Sequence, residues 1–398
     1  MEGAEQYLEP LEEAIREEFL PALLGVDKTE IDDDMRNLIA HSVKNGGMAI
    51  PNPVEAAPLL YKSSVEASSV LVEALRSGGS LNQTAHRECV RQAGKSAKQA
   101  RLATEKANLD EMKRRATRRD KKRLERISGT GAFLTLRPSR RDGTELERDE
   151  FRDAILLRMG LVPKNLPRMC DGCGATFTVE HALTCKKGGL IVTRHNDCRD
   201  EYADLASKAT TASRVTTEPM IYYGGNEPVL RQANGARNTS NNNNSSTRGG
   251  EERGDLAIHG LVQRQRTTIM DFVIVNTDAP SYGHQPSMKV LEKAAKRKKD
   301  KYLEACRERR REFIPMAYSM DGLAGKEAKA AEKRLASLLA SKWDRPYSEM
   351  ACFVKTRMSL SIVRSISMLL RGCRSSTWKR RAPDDGVAAR AAVTSQRW

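Results

Sequence analysis

The strongest chemical signal in the sequence is a set of thiols with one imidazole. Cys170-Asp171-Gly172-Cys173 is followed after seven residues by His181 and three further on by Cys185, a C-x2-C-x7-H-x3-C spacing. Two thiolates two residues apart grip one ion from a tight turn, helped here by Gly172 and Gly174, and a His-Cys pair on the next element closes a tetrahedron. Four ligands with no open position predict a structural zinc; coincidental core cysteines are the competing reading. The remaining cysteines, Cys89, Cys198, Cys306, Cys352 and Cys373, have no such company and read as ordinary thiols.

A second constellation is acidic. Glu218 precedes Pro219, Asp255 opens one apolar run, and Asp271 interrupts the next, Thr268-Ile269-Met270-Asp271-Phe272-Val273-Ile274-Val275. Adjacent strands would bring Asp255 and Asp271 together, the arrangement that holds Mg²⁺ against a scissile phosphate. A carboxylate inside an apolar strand is costly to bury alone, so a metal or a lysine is expected to meet it. Lys298 and Lys301, beside Tyr302, lie on a basic segment downstream, at a spacing that aims one ammonium back at the strands. Taken in isolation, the two aspartates also read as a strand-end residue and a salt-bridged one. Arg194-His195-Asn196 is a weak signal by itself, since a lone histidine is more often structural than catalytic.

These residues need elements to position them. Apolar periodicity predicts helices over about 9–24, 31–42 and 54–75, a long basic helix over about 95–126, a short one from Phe151 to Met159, and another from Arg199 to Ala212. Strands are expected at Pro219–Tyr223, Asp255–Ile258, 268–275 and Phe313–Tyr318. A basic helix over about 288–311 and closing helices over about 323–342 and 347–371 complete the order. Helix, three strands, helix, strand is the order of a small α/β nuclease core. The stretch 233–254, with Asn241-Asn242-Asn243-Asn244, is too polar to bury anything and reads as a disordered insertion.

Charge sets the partner class. The chain of 398 residues has 68 Lys+Arg against 52 Asp+Glu, a formal net charge of +16, with only 5% aromatic side chains. Residues 1–60 are acidic, and basic residues concentrate in 91–126 and 289–311. Such stripes attract phosphate backbones whatever their base sequence; either block alone is equally well read as a solvated helix face or a nuclear-localisation signal. No run of about 18 apolar residues and no signal-peptide pattern is present, which argues against membrane insertion and secretion and for an intracellular, nuclear protein.

Assembled in this order, the residues resemble the C-terminal part of non-LTR retrotransposon polyproteins that carry a restriction-like endonuclease. The matching signatures are the Cys170/Cys173/His181/Cys185 cluster, Gly188-Gly189 with Arg194-His195-Asn196, Glu218-Pro219, Gly254-Asp255, Asp271-x-Val273 and Lys298-Lys299-Asp300-Lys301-Tyr302. Residues 19–68, with Phe19-Leu20-Pro21, Gly46-Gly47-Met48-Ala49-Ile50 and Tyr61-x-Ser63, are similar to the segment that follows the polymerase palm in those elements. The resemblance covers about 18–375. It implies an α/β restriction-endonuclease-like core of PD-(D/E)xK type, preceded by a small zinc knuckle and an N-terminal α-helical region. The implied organisation is a helical post-palm segment (1–90), a basic helical linker (91–131), a helix with the zinc knuckle (132–200), the nuclease core (201–375) and a disordered tail (376–398).

The implied activity is Mg²⁺-dependent nicking of target DNA to prime reverse transcription, with element RNA as a further partner. Asp255 and Asp271 would hold magnesium, Glu218 would complete or orient its shell, and Lys298 or Lys301 would assist catalysis. Arg194, His195, Lys113, Arg114, Arg115, Arg118 and Arg119 would contact nucleic acid. Two departures stand out. Gly254 replaces the usual proline before the first aspartate, and Val273 stands where many such nucleases place a lysine. No Tyr-x-Asp-Asp polymerase motif occurs, so a fragment or a truncated copy without reverse-transcriptase activity is expected. A decayed remnant that binds nucleic acid without cutting it is the alternative.

Overall fold

The computed structural model describes residues 5–222 and 252–375. The tail 376–398 and most of the proposed insertion lie outside the described residues. The N-terminal part is helical: α1 (Glu9–Ala14), α2 (Leu20–Leu24), α3 (Asp33–Ala40), α4 (Pro53–Ser77), α5 (Gln83–Arg115), α6 (Arg118–Arg126) and α7 (Arg148–Met159). A π-helical turn, Ile15–Phe19, separates α1 from α2. The metal cluster brings α8 (Val179–Thr184), followed by α9 (Leu190–Ala209). Then come β1 (Val215–Thr217), β2 (Met220–Tyr222), β3 (Glu252–Arg253), β4 (Leu256–His259), β5 (Thr267–Val275), α10 (Ser287–Glu308), β6 (Glu312–Ser319), α11 (Lys326–Trp343) and α12 (Tyr347–Arg371). No helix among the described residues is long and apolar enough to cross a membrane.

The molecule is mixed α/β, mostly helical, around a four-stranded sheet of order β1-β4-β5-β6. β1/β4 and β4/β5 are antiparallel, while β5 and β6 are parallel and joined through α10. A second, two-stranded sheet pairs β2 with β3. Glu252 and Arg253, expected in the disordered insertion, are therefore strand residues.

The central strand β5 is buried on both faces, which is why it reads as an almost unbroken apolar run. Met270, Phe272 and Ile274 enter the main core with Tyr202 and Leu205 of α9, Leu335 of α11 and Met358 of α12. The alternate residues face α10: Ile269 packs with Tyr302 and Cys306, and Val273 and Val275 pack near Leu291 and Ala295. A second core joins Leu20, Ile39, Leu109, Leu124, Phe133, Ile155 and Leu360.

Two sequence expectations about helices change. The basic stretch is not one free linker helix. It is α5 and α6, broken at Ala116-Thr117, where Thr117 caps α6 by accepting from the Asp120 N–H at 3.2 Å. α5 buries Glu105, Leu109 and Met112, and α6 buries Lys122, Leu124 and Arg126. Arg126 donates to Asp278 at 2.8 and 2.6 Å and to Asp321 at 2.6 Å, so α6 is locked onto the loop before α10 and the turn after β6. The helix expected from Arg199 begins at Leu190, which places Arg194-His195-Asn196 on a regular helical face.

Candidate functional site

Local structure builds the metal cluster. A small hairpin forms around the Met169–Thr176 bridge, with the Cys170 N–H donating to the Ala175 carbonyl and the Gly174 N–H to that of Cys170. Thr178 then caps α8 by accepting from the His181 N–H at 3.1 Å. His181 and Cys185, four residues apart, share one side of that turn. The four ligand atoms of Cys170, Cys173, His181 and Cys185 all lie within 4.8 Å of one another. The sulfurs of Cys170 and Cys185 are 3.9 Å apart, those of Cys185 and Cys173 are 4.0 Å apart, and Cys173 Sγ is 3.4 Å from His181 Nε2. A tetrahedron with metal–sulfur bonds of about 2.3 Å has edges of about 3.8 Å. The cluster can hold a metal such as zinc. Burial pushes the Cys170 thiol up, but the Gly172 N–H and the His181 ring outweigh it and bring it to about 6, so the metal-ligating thiolate is accessible at neutral pH.

The knuckle is clamped to the end of α12 by residues that its spacing does not announce. Asp171 Oδ2 accepts from the backbone N–H groups of Arg374 at 2.7 Å and Ser375 at 3.1 Å. The buried Arg374 guanidinium donates to the Ala182 carbonyl at 3.1 Å and lies 5.2 Å from the Phe177 ring centre. Gly188, at φ +76, passes so close that a Cβ there would meet Arg374 Cα at 2.5 Å.

The acidic constellation assembles at one end of the sheet. Leu256 pairs with Met270 across β4 and β5, and the Asp255 N–H donates to the Met270 carbonyl. Asp255 therefore stands at the level of Asp271. Asp255 Oδ2 accepts from the Phe272 N–H at 2.5 Å and lies 3.0 Å from His195 Nε2. Asp271, 3% exposed, pairs with Lys298, whose Nζ is 2.5 Å from Oδ2. That oxygen has no partner of good hydrogen-bond geometry.

Burial and the neighbouring Asp255 charge push the Asp271 carboxyl up to about 6 against the opposing pull of Lys298. Burial also pushes Asp255 up, but the His195 ring and the Phe272 N–H outweigh it and hold its carboxyl below the ordinary value. The same contact raises the His195 imidazole despite its burial. Such divergence is what burial and like charge produce when two carboxyls share one site.

Lys298 arrives there for a readable reason. Leu291, Ala295, Tyr302 and Cys306 form the buried stripe of α10, and Lys298 occupies the one turn of that stripe that faces Asp271 rather than an apolar side chain. Val273 lies on the same face of β5 as Asp271 and packs near Leu291, so the position expected to carry a lysine is filled by core and the charge comes from the helix. Lys301 is placed elsewhere. Its Nζ donates to Tyr302 Oη at 2.7 Å and lies 3.7 Å from Glu252.

Other expected site residues need correction. The Glu218 carboxylate is exposed and pairs with Arg199 Nη1 at 3.1 Å; the residue adopts φ +51, and its N–H donates to the Asp255 carbonyl at 3.0 Å. A left-handed non-glycine residue is strained and marks a backbone held in place by its surroundings. Arg194 is 5% exposed, with its guanidinium 2.9 Å from Met320 Sδ, and is not available to a surface phosphate. His195 touches Asp255 and stays partly exposed. Arg199, four residues beyond His195, shares that helical face. Lys113, Arg114 and Arg115 are on α5, paired with Asp110, Glu111 and Asp34. Arg118 and Arg119, on α6, are exposed.

No family model matches this chain, and no curated protein is similar to it at a level that indicates kinship.

Proposed function

We propose that this chain is a metal-dependent DNA endonuclease module of the kind carried by non-LTR retrotransposons, built on a restriction-like core with a zinc knuckle clamped to its last helix. The observation that carries the reading is the Asp255–Asp271 pair, with a lysine delivered by the helix that crosses between the parallel strands. The order of strands and the crossover helix agree with the sequence resemblance.

The residues fit a divalent ion: two adjacent carboxylates, one of them a buried group held against Lys298, form an oxygen-donor set suited to Mg²⁺. When bound by Asp255 and Asp271, the ion supplies Lewis-acid polarisation of the phosphate and neutralises developing charge. The protein's own groups do the rest. His195 and the Phe272 N–H fix the rotamer of Asp255. Lys298 offers its ammonium to the phosphorane oxygens; the attacking water's oxygen bonds to phosphorus and gives its proton to solvent, while the bond to the 3′ oxygen breaks and that oxygen takes a proton from solvent. The strand released carries a 3′ hydroxyl, the end that primes reverse transcription in elements of this kind. Such a substrate places the protein at chromosomal DNA in the nucleus.

A second reading is supported by Asp255 itself, since Oδ2 is already satisfied by His195 and Phe272: a remnant that binds nucleic acid without cleaving it. Supercoiled plasmid separates the two. The nuclease reading expects relaxed circles with Mg²⁺, none with EDTA, and none from Asp271→Ala. Wild-type protein that leaves the plasmid intact with Mg²⁺, Mn²⁺ and Co²⁺ overturns it in favour of the remnant.

A further inference from the structure

The two basic blocks, far apart in the chain, meet on one surface. α6 is fastened across the segment that leads into α10: Arg118 Nη2 donates to the His284 carbonyl at 3.2 Å, 166 residues away, and Lys122 Nζ donates to that of Tyr282 at 3.0 Å. α10 holds the same segment as well. Lys293 Nζ donates to Gln285 Oε1 at 2.6 Å and Arg297 Nη2 to Tyr282 Oη at 3.3 Å. Arg118, Lys293 and Arg297 thus surround one short loop. Lys293, Lys296 and Arg297 are exposed on successive turns of α10, and Lys298, the next residue, turns inward to Asp271.

The electrostatic state of these groups differs from that of the other basic helix. The side-chain partners of Arg118, Lys293 and Arg297 are neutral: a carbonyl, an amide oxygen and a phenol. Among the described residues no carboxylate pairs with them. On α5, Lys113 lies 3.5 Å from Asp110, and Arg115 lies 3.5 Å from Glu111 and 3.2 Å from Asp34; Arg114 also pairs with Glu111. A phosphate must break those pairs for little net gain, whereas at a cation with neutral partners it releases a counterion and keeps the full attraction.

We propose that Arg118, Lys293 and Arg297, flanked by Arg119 and Lys296, form a track for one strand's phosphates of duplex DNA that enters the cleavage site at Lys298, and that the basic end of α5 is not part of it. From Ser287 to Lys298 the helix rises roughly 16 Å, about half a turn of B-DNA. The track fits the phosphates next to a scissile bond. Its identity as a substrate track rests on the nuclease reading; its existence as a duplex-binding surface does not.

The test is fluorescence anisotropy with full-length protein and a labelled duplex of about 20 base pairs in EDTA, where no cleavage occurs. Arg118→Gln/Lys293→Gln/Arg297→Gln should bind about ten- to thirtyfold more weakly near 100 mM salt, and its log Kd against log salt slope should fall by about 2–3. Lys113→Gln/Arg114→Gln/Arg115→Gln, which removes the same charge, should lose less than about threefold. Equal losses in the two sets, an unchanged slope, or a track that binds single-stranded RNA of equal length more tightly than duplex overturns the proposal. Plasmid nicking by wild type, run alongside, keeps the failures apart. Loss of binding in the first set without any nicking by wild type leaves the track standing and removes the cleavage reading. Nicking by wild type with undiminished binding in the first set does the reverse.

Discussion

The cysteine–histidine cluster and the aspartate–lysine site are both sets of charged donors converging on a point, and they are built in opposite ways. The cluster closes within one short stretch, Cys170 and Cys185 being 15 residues apart, and its geometry follows from a hairpin and a capped turn of helix. The aspartate site draws His195 from α9, Asp255 and Asp271 from neighbouring strands and Lys298 from α10, so it exists only when the sheet and its covering helices are assembled. A local site is limited by its ligands; a distributed one is limited by packing.

Removing a ligand from the local site should give the largest effect. Structural zinc in a knuckle contributes on the order of 10 kcal/mol of apparent binding energy, and Asp171, anchored beside Cys170, ties the site to Arg374 and the end of α12. Purified wild type should contain one zinc per chain and Cys173→Ala less than half, with a lower melting temperature. Asp271→Ala should retain its zinc. If Asp271→Ala loses zinc as Cys173→Ala does, the two sites are not separable and the contrast fails.

Next in size is the division of labour between lysines. Lys298→Ala removes the ammonium 2.5 Å from Asp271 and should lower the Mg²⁺-dependent nicking rate by about 100- to 1,000-fold, the usual loss for a charge-stabilising donor. Lys301→Ala, whose side chain rests on Tyr302, should stay within about threefold of wild type. Equal losses would show that the helix as a whole, and not its one inward lysine, serves the site.

What was legible in the sequence follows the same division. The spacing of Cys170, Cys173, His181 and Cys185 suffices to name the four residues that converge, because chain distance and space nearly coincide there. Asp271 was readable as a carboxylate out of place in an apolar strand, but Lys298 and Lys301 were not separable, since that choice depends on which turn of α10 faces β5. β1 was missed because its three residues are largely exposed and carry no apolar run. The start of α9 was missed because Arg194-His195-Asn196-Asp197 looks polar in sequence, although Arg194 and Cys198 are buried on its inner face. The break before α6 did have a signal: Thr117 three residues before Asp120 is a helix-start pattern, lost in the surrounding charge.

A smaller effect should appear in the metal-free protein. The Asp271 carboxyl, pushed up to about 6 by burial and Asp255, holds its proton more tightly folded than unfolded. Its contribution to stability is therefore present at low pH and lost as pH rises from the unfolded value near 4 through about 6. Asp271→Asn in EDTA should be more stable than wild type at pH 7.5 by on the order of 1–3 kcal/mol, with the gain vanishing near pH 4. Denaturant titrations at the two pH values measure it. A variant less stable than wild type at pH 7.5 would mean that the Lys298 pair outweighs burial, and that the carboxylate is structural in its own right.

The smallest expected effect tests whether the distributed site tolerates any change in its packing. Gly254 precedes Asp255 at the position where the resembling nucleases carry proline. Its N–H donates to the Pro219 carbonyl at 3.0 Å, and a Cβ there would meet Ile269 Cγ2 at 2.6 Å. Ile269 is wholly buried and β-branched, so it has no free rotamer to swing aside. Gly254→Ala should therefore cost about 1–2 kcal/mol by overpacking, and it should also shift Asp255, since that backbone must move to relieve the contact. Gly254→Pro adds the loss of the hydrogen bond to Pro219 and should cost more. Ile269→Val removes only Cδ1 and leaves the offending Cγ2, whereas Ile269→Ala removes it, so Gly254→Ala should be partly rescued by Ile269→Ala and not by Ile269→Val. A melting-temperature double-mutant cycle reads this coupling directly. Additive losses in the Ile269→Ala cycle would show that the glycine is not held there by the strand beneath it.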